Sequence, residues 1–457
     1  MDQDHAQGSA SRVDGASPLS AGSTSRRGRI YLLAALLGLG LVGLWVGLFI
    51  VSLRQDRLVL GGMGWIPILP SMGADFKQNI DHIVRVRALG YKPHQVPNDP
   101  FCLFHPYPPM IARSFSWVLL FDIETASLIW LVALASFASL GCFAAWRTRK
   151  RLGLDSIPLS LMVAAVLFST PFIYVLERGQ CDAMIIPGLI VVAWLLGRRG
   201  TWAELGAGAL LGLTAWIKYY PGLAVVALLT LGRRKALATF AAVVALIGIV
   251  DLGEILESIK AGQKLQAIFL GRVGGMLVWS HSIVESWKSY DFVRESHILN
   301  QVPGFVLSGL LLLPVMVLVG RRIARAKDPQ ALTLPYMLWL AAVATFALPY
   351  SNDYNLVTLP LTVLAVWDRR DRAVVQAALA LSLLWLQPFW LPIDGGILAL
   401  IKLGAVYAAG ACLVARATVD GQRSMNEGPA SLFRPTFARL KGPHDDAALI
   451  DPGSERI

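Results

Sequence analysis

The stretch IYLLAALLGLGLVGLWVGLFIVSL, residues 30–53, decides the fold. It runs from Ile30 to Leu53 without a charged residue. At about 1.5 Å per residue, a helix of this length crosses the roughly 30 Å hydrocarbon core of a bilayer. Comparable apolar runs recur as far as Val414. Hydrophobic residues make up 55% of the chain and charged residues only 16%, against roughly 25% charged in soluble domains. The sequence therefore predicts an all-α, polytopic membrane protein.

Ser25-Arg26-Arg27, just ahead of the first run, has the look of a twin-arginine export signal. The run is too long for a signal h-region and no small-residue cleavage site follows it, so it reads as an uncleaved first span. The net charge of +11 does not point to nucleic acid. Much of the Lys and Arg sits in short clusters between apolar runs, the positive-inside pattern. Cys142 and Cys412 lie in apolar segments and read as packing residues. Cys102 and Cys181 both fall on the expected outer side, where a disulfide and two free thiols are both open. No Cys/His spacing suggests zinc.

The basic clusters set an expected topology of about twelve spans with both termini cytoplasmic. Residues 1–29 form a disordered tail, 30–416 the membrane domain and 417–457 a second disordered tail. The first span, about 30–53, leads to a long first outer loop, 54–108. Residues 109–121 are apolar but short, an interfacial or re-entrant helix. Spans at about 124–146, 157–176 and 181–197 follow. Between Arg198-Arg199 and Arg233-Arg234-Lys235 two short helices must fit, turning near Lys218-Tyr219-Tyr220-Pro221. Broken helices at membrane depth line cavities or are buried in protein. A span at about 236–251 ends at Asp251 and opens a second large outer loop, 252–302. Further spans reach Arg321-Arg322, then about 331–348, then a short one ending at Trp367-Asp368, then about 373–392 and 396–416.

The polar groups that interrupt apolar sequence gather on the outer side. They are Asp75, Asp81, His82 and His105 in the first loop; Glu177, Arg178, Gln180 and Asp182; Lys218 with Tyr219 and Tyr220; and Asn352, Asp353 and Tyr354. An ionisable group at helix depth costs about 2.5–3.5 kcal/mol on insertion scales, which makes it a functional candidate. Glycosyl transfer from a lipid phosphate needs a carboxylate base for the acceptor hydroxyl, stabilisation of the leaving phosphate and a groove for the lipid. Asp75 can supply the first, and Lys218, Arg178 or the loop cations the second.

Each group also has a plainer reading. Asp75 can cap an amphipathic helix that starts at Phe76. Asp81 and His82 can lie on that helix's solvated face. His105, before Pro106, can be a loop residue, and Asp353 can end a helix. Arg178 and Asp182, four apart, can form a local ion pair, and Lys218 can snorkel to the interface. Trp117, Trp130, Trp216, Tyr219 and Tyr220 can be packing or interface-belt residues.

Several segments together resemble a known family. They are Gly73-Ala74-Asp75-Phe76, an amphipathic helix, Gly90-Tyr91 and Tyr107-Pro108-Pro109; then Arg178-Gly179-Gln180-Cys181-Asp182; then Gly206 to Leu213, running on to Lys218-Tyr219-Tyr220-Pro221. In order and spacing they are similar to glycosyltransferase family 87, the polyprenyl-phosphate-mannose-dependent α-mannosyltransferases of the GT-C superfamily. The resemblance implies a GT-C fold with its site on the outer face. It implies inverting transfer of a hexose, mannose in that family, from a polyprenyl-phosphate donor to a lipid-linked or glycan acceptor. The implied base is Asp75, and the implied donor and phosphate contacts are Lys218, Arg178 and Gln180. Where many members carry a histidine motif, this chain has Asn352-Asp353-Tyr354-Asn355, and His281 in the second large loop is a candidate substitute. Asp81, His82, His105, Tyr107, Asp182, Tyr219, Asn352, Asp353 and Tyr354 are candidate sugar or acceptor contacts.

The expected setting is a bacterial inner membrane, with membrane lipids as neighbours and no nucleic-acid partner. No metal is required, since a lipid monophosphate can leave with cationic side-chain help, and no cofactor is implied. Two other classes fit the same topology. One is a transporter or flippase of lipid-linked sugars. The other is a polysaccharide polymerase or ligase that uses a lipid diphosphate donor.

Overall fold

A computed structural model describes residues 19–55, 72–91, 108–154, 156–256, 297–347, 356–368 and 395–426. Among the described residues the chain is all helical, with no strand. The expected eleventh span, about 373–392, and most of the second large loop lie outside the described residues. So do Cys102, His105, Tyr107, His281, Asn352, Asp353 and Tyr354.

The first helix, Leu19–Arg54, begins earlier than the boundary expected at residue 30, so its first turns fall in the segment read as a tail. Its Gly28–Arg54 part and Ile123–Arg151 are each long and apolar enough to cross a membrane. Ala35 and Gly38 of the first helix meet Ser160 and Leu161, and Ser160 Oγ donates to Ala35 O at 2.8 Å. Asp122 caps the Ile123–Arg151 helix, accepting from Thr125 N at 2.9 Å and Thr125 Oγ1 at 2.8 Å. Those two bonds hold its carboxyl below the usual carboxylate range. Just ahead of it, residues 109–121, expected as one interfacial or re-entrant helix, form the short helix Pro109–Ser114 and the 3-10 turn Ser116–Leu120.

The span expected at 157–176 is not continuous. Leu159–Leu167 and Thr170–Arg178 meet at a 59° bend. Pro171 lies in the first turn of the second helix and has no N–H to continue the ladder of the first. Ser169 is extended, and its Oγ donates back to Val166 O at 2.6 Å. An apolar run with no charge in it conceals this break.

The two-helix stretch between the basic clusters is also uneven. Thr201–Ile217 is a full 17 residues. Only the return leg is short, a 3-10 turn Tyr220–Ala224 followed by Val225–Thr230. Thr201–Ile217 packs along Arg234–Val250 by close backbone approach. A Cβ on Gly208 would lie 2.1 Å from Ala236 O, and one on Gly212 2.9 Å from Val243 Cγ1. Small residues four apart allow this approach in membranes, where apolar surface gives helices little reason to pair.

The middle of the bundle is Pro329–Ala344, buried at every position from Ala331 to Ala344, and Thr358–Val366, buried throughout. A helix apolar all round belongs in the interior. Its polar atoms find backbone partners: Trp339 Nε1 donates to Val406 O at 2.7 Å and Tyr336 OH to Met316 O at 2.8 Å.

Contacts draw the basic clusters to one end of the bundle. Arg151 pairs with Asp328 at 2.7 Å, Arg233 with Glu204 at 3.1 Å, and Arg233 also donates to Leu196 O at 3.0 Å. Arg149 is only 2% exposed. It donates to Leu364 O at 3.0 Å and to Trp367 O, at the carbonyl end of Thr358–Val366. The unsatisfied carbonyls and partial negative charge of a helix C-terminus suit a cation there. Arg149 is therefore a helix cap as well as a member of a topology signal.

Valine at Gly208 is expected to push the two backbones apart and cost about 1–3 kcal/mol, the usual range for overpacking. Valine at Gly206 is the control on the same helix, because a Cβ there meets only Leu195 Cδ1 at an ordinary 3.6 Å. Thermal melting in detergent should show a clear loss for Gly208→Val and little for Gly206→Val.

Candidate active site

The other end of the bundle holds a chain of polar contacts, and two glycines make it. Thr170–Arg178 ends at Gly179, whose φ of +67° is in the left-handed region. Gln180 N bonds back to Val175 O at 3.0 Å, the closing bond of a Schellman cap. Gly73 is also left-handed, at φ +70°, and its N–H donates to Glu177 O at 2.9 Å. A Cβ on Gly179 would lie 2.9 Å from Gly73 Cα and 2.8 Å from Phe76 Cβ. Trp130 Nε1 donates to Gly179 O at 2.9 Å from behind. The first-loop turn is thus pressed against the end of Thr170–Arg178, and Asp75 is carried to Arg178 and Gln180.

Asp75 is not a cap. Its backbone is already helical, and its side chain makes no capping bond. It is buried, and its Oδ2 accepts from Arg178 Nε at 2.8 Å and from Gln180 Nε2. Both bonds fall on Oδ2; Oδ1 accepts none among the described residues. Gln180 Oε1 in turn accepts from Lys218 Nζ at 3.2 Å. These partners fix the orientation of the amide, since a carboxylate can only accept and an ammonium can only donate. Lys218 lies 3.1 Å from Asp182 Oδ2, and Tyr220 OH donates to Asp182 Oδ1 at 2.7 Å. The result is one run of contacts, Arg178–Asp75–Gln180–Lys218–Asp182–Tyr220, with two cations and two carboxylates.

This arrangement corrects the reading of Arg178 and Asp182 as a local ion pair. That reading presumes a continuous helix. Gly179 ends the helix between them, so Arg178 reaches across to the first loop and Asp182 turns to the Lys218 turn. Asp182 is fully buried, and leaving its charge alone there would cost about 3–5 kcal/mol. Lys218 is therefore held inside and does not snorkel to the surface.

Tyr220, which the sequence offers as a packing or interface residue, joins the run through its bond to Asp182. Ile217 ends the helix and Lys218 is extended (φ −144°, ψ 140°). Lys218 and Tyr220 both reach Asp182. Tyr219 packs edge-on against Trp216 at 5.8 Å. Burial, and then the nearby Asp251, pushes its hydroxyl up to about 12.

Asp81 is not on a solvated face either. It is 1% exposed, because Arg85 one turn on offsets its charge through bonds of 2.7 and 3.1 Å. Arg85 also donates to Phe121 O at 2.9 Å, which pins His82–Ala88 to the end of the Ser116–Leu120 turn. The bond to Asp81 raises the Arg85 pKa. His82 lies half-buried on the same helix. A second ionic group sits further along: Arg113 pairs with the buried Asp251 at 2.5 Å, and Arg87 with Glu254. Burial, and then Arg113, lowers the Arg87 pKa. Beneath Asp75, Phe76 stacks on Trp130 at 5.9 Å and Phe115 meets Trp130 edge-on at 4.7 Å. Among the described residues no group of three His, Cys, Asp or Glu is placed to hold a metal ion.

The described residues thus form an all-helical bundle with helices suited to a membrane and a carboxylate, amide and lysine run at one end. Residues 104–254 match glycosyltransferase family 87, so over this stretch the chain is similar to a family of glycosyltransferases. The matched stretch holds Arg178, Gln180, Asp182, Lys218 and Tyr220; Asp75 lies before it. No curated protein and no solved structure matches the chain.

Alanine at Gly179 meets both a left-handed backbone and the Gly73–Phe76 contact. It is expected to cost more than about 1 kcal/mol. Gly153 shares the left-handed backbone, at φ +63°, but a Cβ there meets nothing within 4 Å. Gly153→Ala isolates the backbone term. The melting temperature should fall further for Gly179→Ala than for Gly153→Ala.

Proposed function

We propose that this protein is an inverting glycosyltransferase. It moves a hexose, mannose by family likeness, from a polyprenyl-phosphate donor to a lipid-linked or glycan acceptor on the extracytoplasmic face of the membrane. The carrying observation is the bonding of Asp75, whose Oδ2 is engaged by Arg178 and Gln180 while Oδ1 accepts nothing among the described residues. A base needs this state, held in orientation by one oxygen and open at the other.

In this reading Asp75 Oδ1 takes the proton of the acceptor hydroxyl. The acceptor oxygen forms its bond to the anomeric carbon as that carbon's bond to the phosphate oxygen breaks. The electron pair leaves with the polyprenyl phosphate, and Lys218 stabilises the charge that develops there. Gln180 spans the base and the cation, so the separation of the two reacting ends is set by one amide. Arg178 balances the Asp75 charge from the other side. A partly buried setting makes each of these interactions stronger than it would be in water. The helices Pro109–Ser114 and Ser116–Leu120, with Leu119 and Leu120 exposed, give the lipid chain an apolar approach beside the first-loop helix.

The test is transfer by purified protein in proteoliposomes, supplied separately with labelled polyprenyl-phosphate hexose and with a lipid-diphosphate-linked glycan. Product from the monophosphate donor is expected. Product from the diphosphate donor alone would refute the reading, as would movement of label between leaflets with no new glycoside. Asp75→Asn keeps the shape and the bond from Arg178 but cannot accept a proton. Its rate should fall by about a hundredfold or more, with melting little changed.

A further inference from the structure

Lys218 could hold a phosphate only if its ammonium is kept in place, and the lysine stem alone does not do that. Its four-carbon chain is flexible, and the ammonium is a compact point charge without a preferred direction. Two groups fix it here: a hydrogen bond to Gln180 Oε1 at 3.2 Å and an ion pair with Asp182 Oδ2 at 3.1 Å. Asp182 is itself fixed. It lies in the 3-10 turn Cys181–Met184 with no solvent exposure, and its other oxygen accepts from Tyr220 OH at 2.7 Å. Tyr220 is 2% exposed and opens the 3-10 turn before Pro221. A phenol buried this deeply has a hydroxyl to satisfy and little freedom to swing.

The geometry points to Asp182 and Tyr220 as positioning residues for the donor phosphate, acting on it only through Lys218. Asp182 supplies the counter-charge that lets the ammonium sit inside. Tyr220 holds that carboxylate at one angle, so that the ammonium is kept between Asp182 and Gln180. Neither residue touches the reacting atoms. This inference rests on the reading of Lys218 as the cation of a lipid-phosphate donor.

The experiment is binding of polyprenyl monophosphate to the full-length protein in detergent, followed by intrinsic tryptophan fluorescence, together with donor KM. Tyr220→Phe is expected to weaken binding and raise KM about tenfold, the scale of a lost hydrogen bond to a charged group. The same change is then made in a Lys218→Met/Asp182→Asn background. That pair removes both opposite charges together, so no lone buried charge threatens the fold. There Tyr220→Phe should have no further effect, the non-additivity expected of residues that act through one another. An equal loss in both backgrounds would overturn the inference and leave the transferase reading standing. A purely structural tyrosine would lower the folded yield and leave the dissociation constant of the folded fraction unchanged, which also overturns it. If the unaltered protein fails to bind polyprenyl monophosphate at all, the donor reading falls, and this inference falls with it.

Discussion

The contact between Gly73 and Gly179 governs the candidate site. Two left-handed residues from distant parts of the chain approach until a Cβ on Gly179 would strike Gly73 Cα, while one on Gly73 would strike Ser127 Oγ. A backbone bond from Gly73 N to Glu177 O and an indole bond from Trp130 Nε1 to Gly179 O hold the approach. Every downstream contact depends on it. Asp75 meets Arg178 because its turn is pressed onto that helix end, and Gln180 can span to Lys218 because the cap has turned it off the helix axis. The chemistry of the run comes from side chains, but its spacing comes from backbone.

Burial gives this run its character. Asp182 has no exposure and Asp75 very little, so each carboxylate has to be met by a donor or destabilise the fold. The chain answers with alternating charge: cation, anion, amide, cation, anion, phenol. The amide in the middle is neutral yet directional, and it passes the constraint from one ion pair to the other without adding charge. Such a run tolerates little independent movement of its members, because each bond removed leaves a buried group unsatisfied.

Much of this was legible before any coordinates. Residues 30–53 named a spanning helix by length alone, and the Asp122-Glu124 boundary marked where the next began. Asp75, Arg178, Gln180 and Lys218 stood out because charge is expensive in apolar sequence, and they prove to be neighbours. What was not legible depended on direction. The bend at Ser169-Thr170-Pro171 was hidden because hydropathy reports composition and not the continuity of a hydrogen-bond ladder. The pairing of Arg178 with Asp75 and not Asp182 depends on where one glycine stops a helix. The bond of Tyr220 to Asp182 depends on the break after Ile217, where extended Lys218 leads into the 3-10 turn that carries Tyr220. Asp81 looked solvated because its partner, Arg85, could equally have faced water.

Arg149 adds an element of time. Its guanidinium is buried against carbonyls that lie 215 residues further along the chain. A chain threaded into a membrane from its N-terminus delivers Arg149 long before those carbonyls exist. During synthesis the residue therefore has nothing to cap, and its charge belongs at the headgroup layer, where it helps orient the helix it ends. Once Thr358–Val366 is in place, its peptide oxygens take up that charge, so one side chain clasps two segments far apart in sequence.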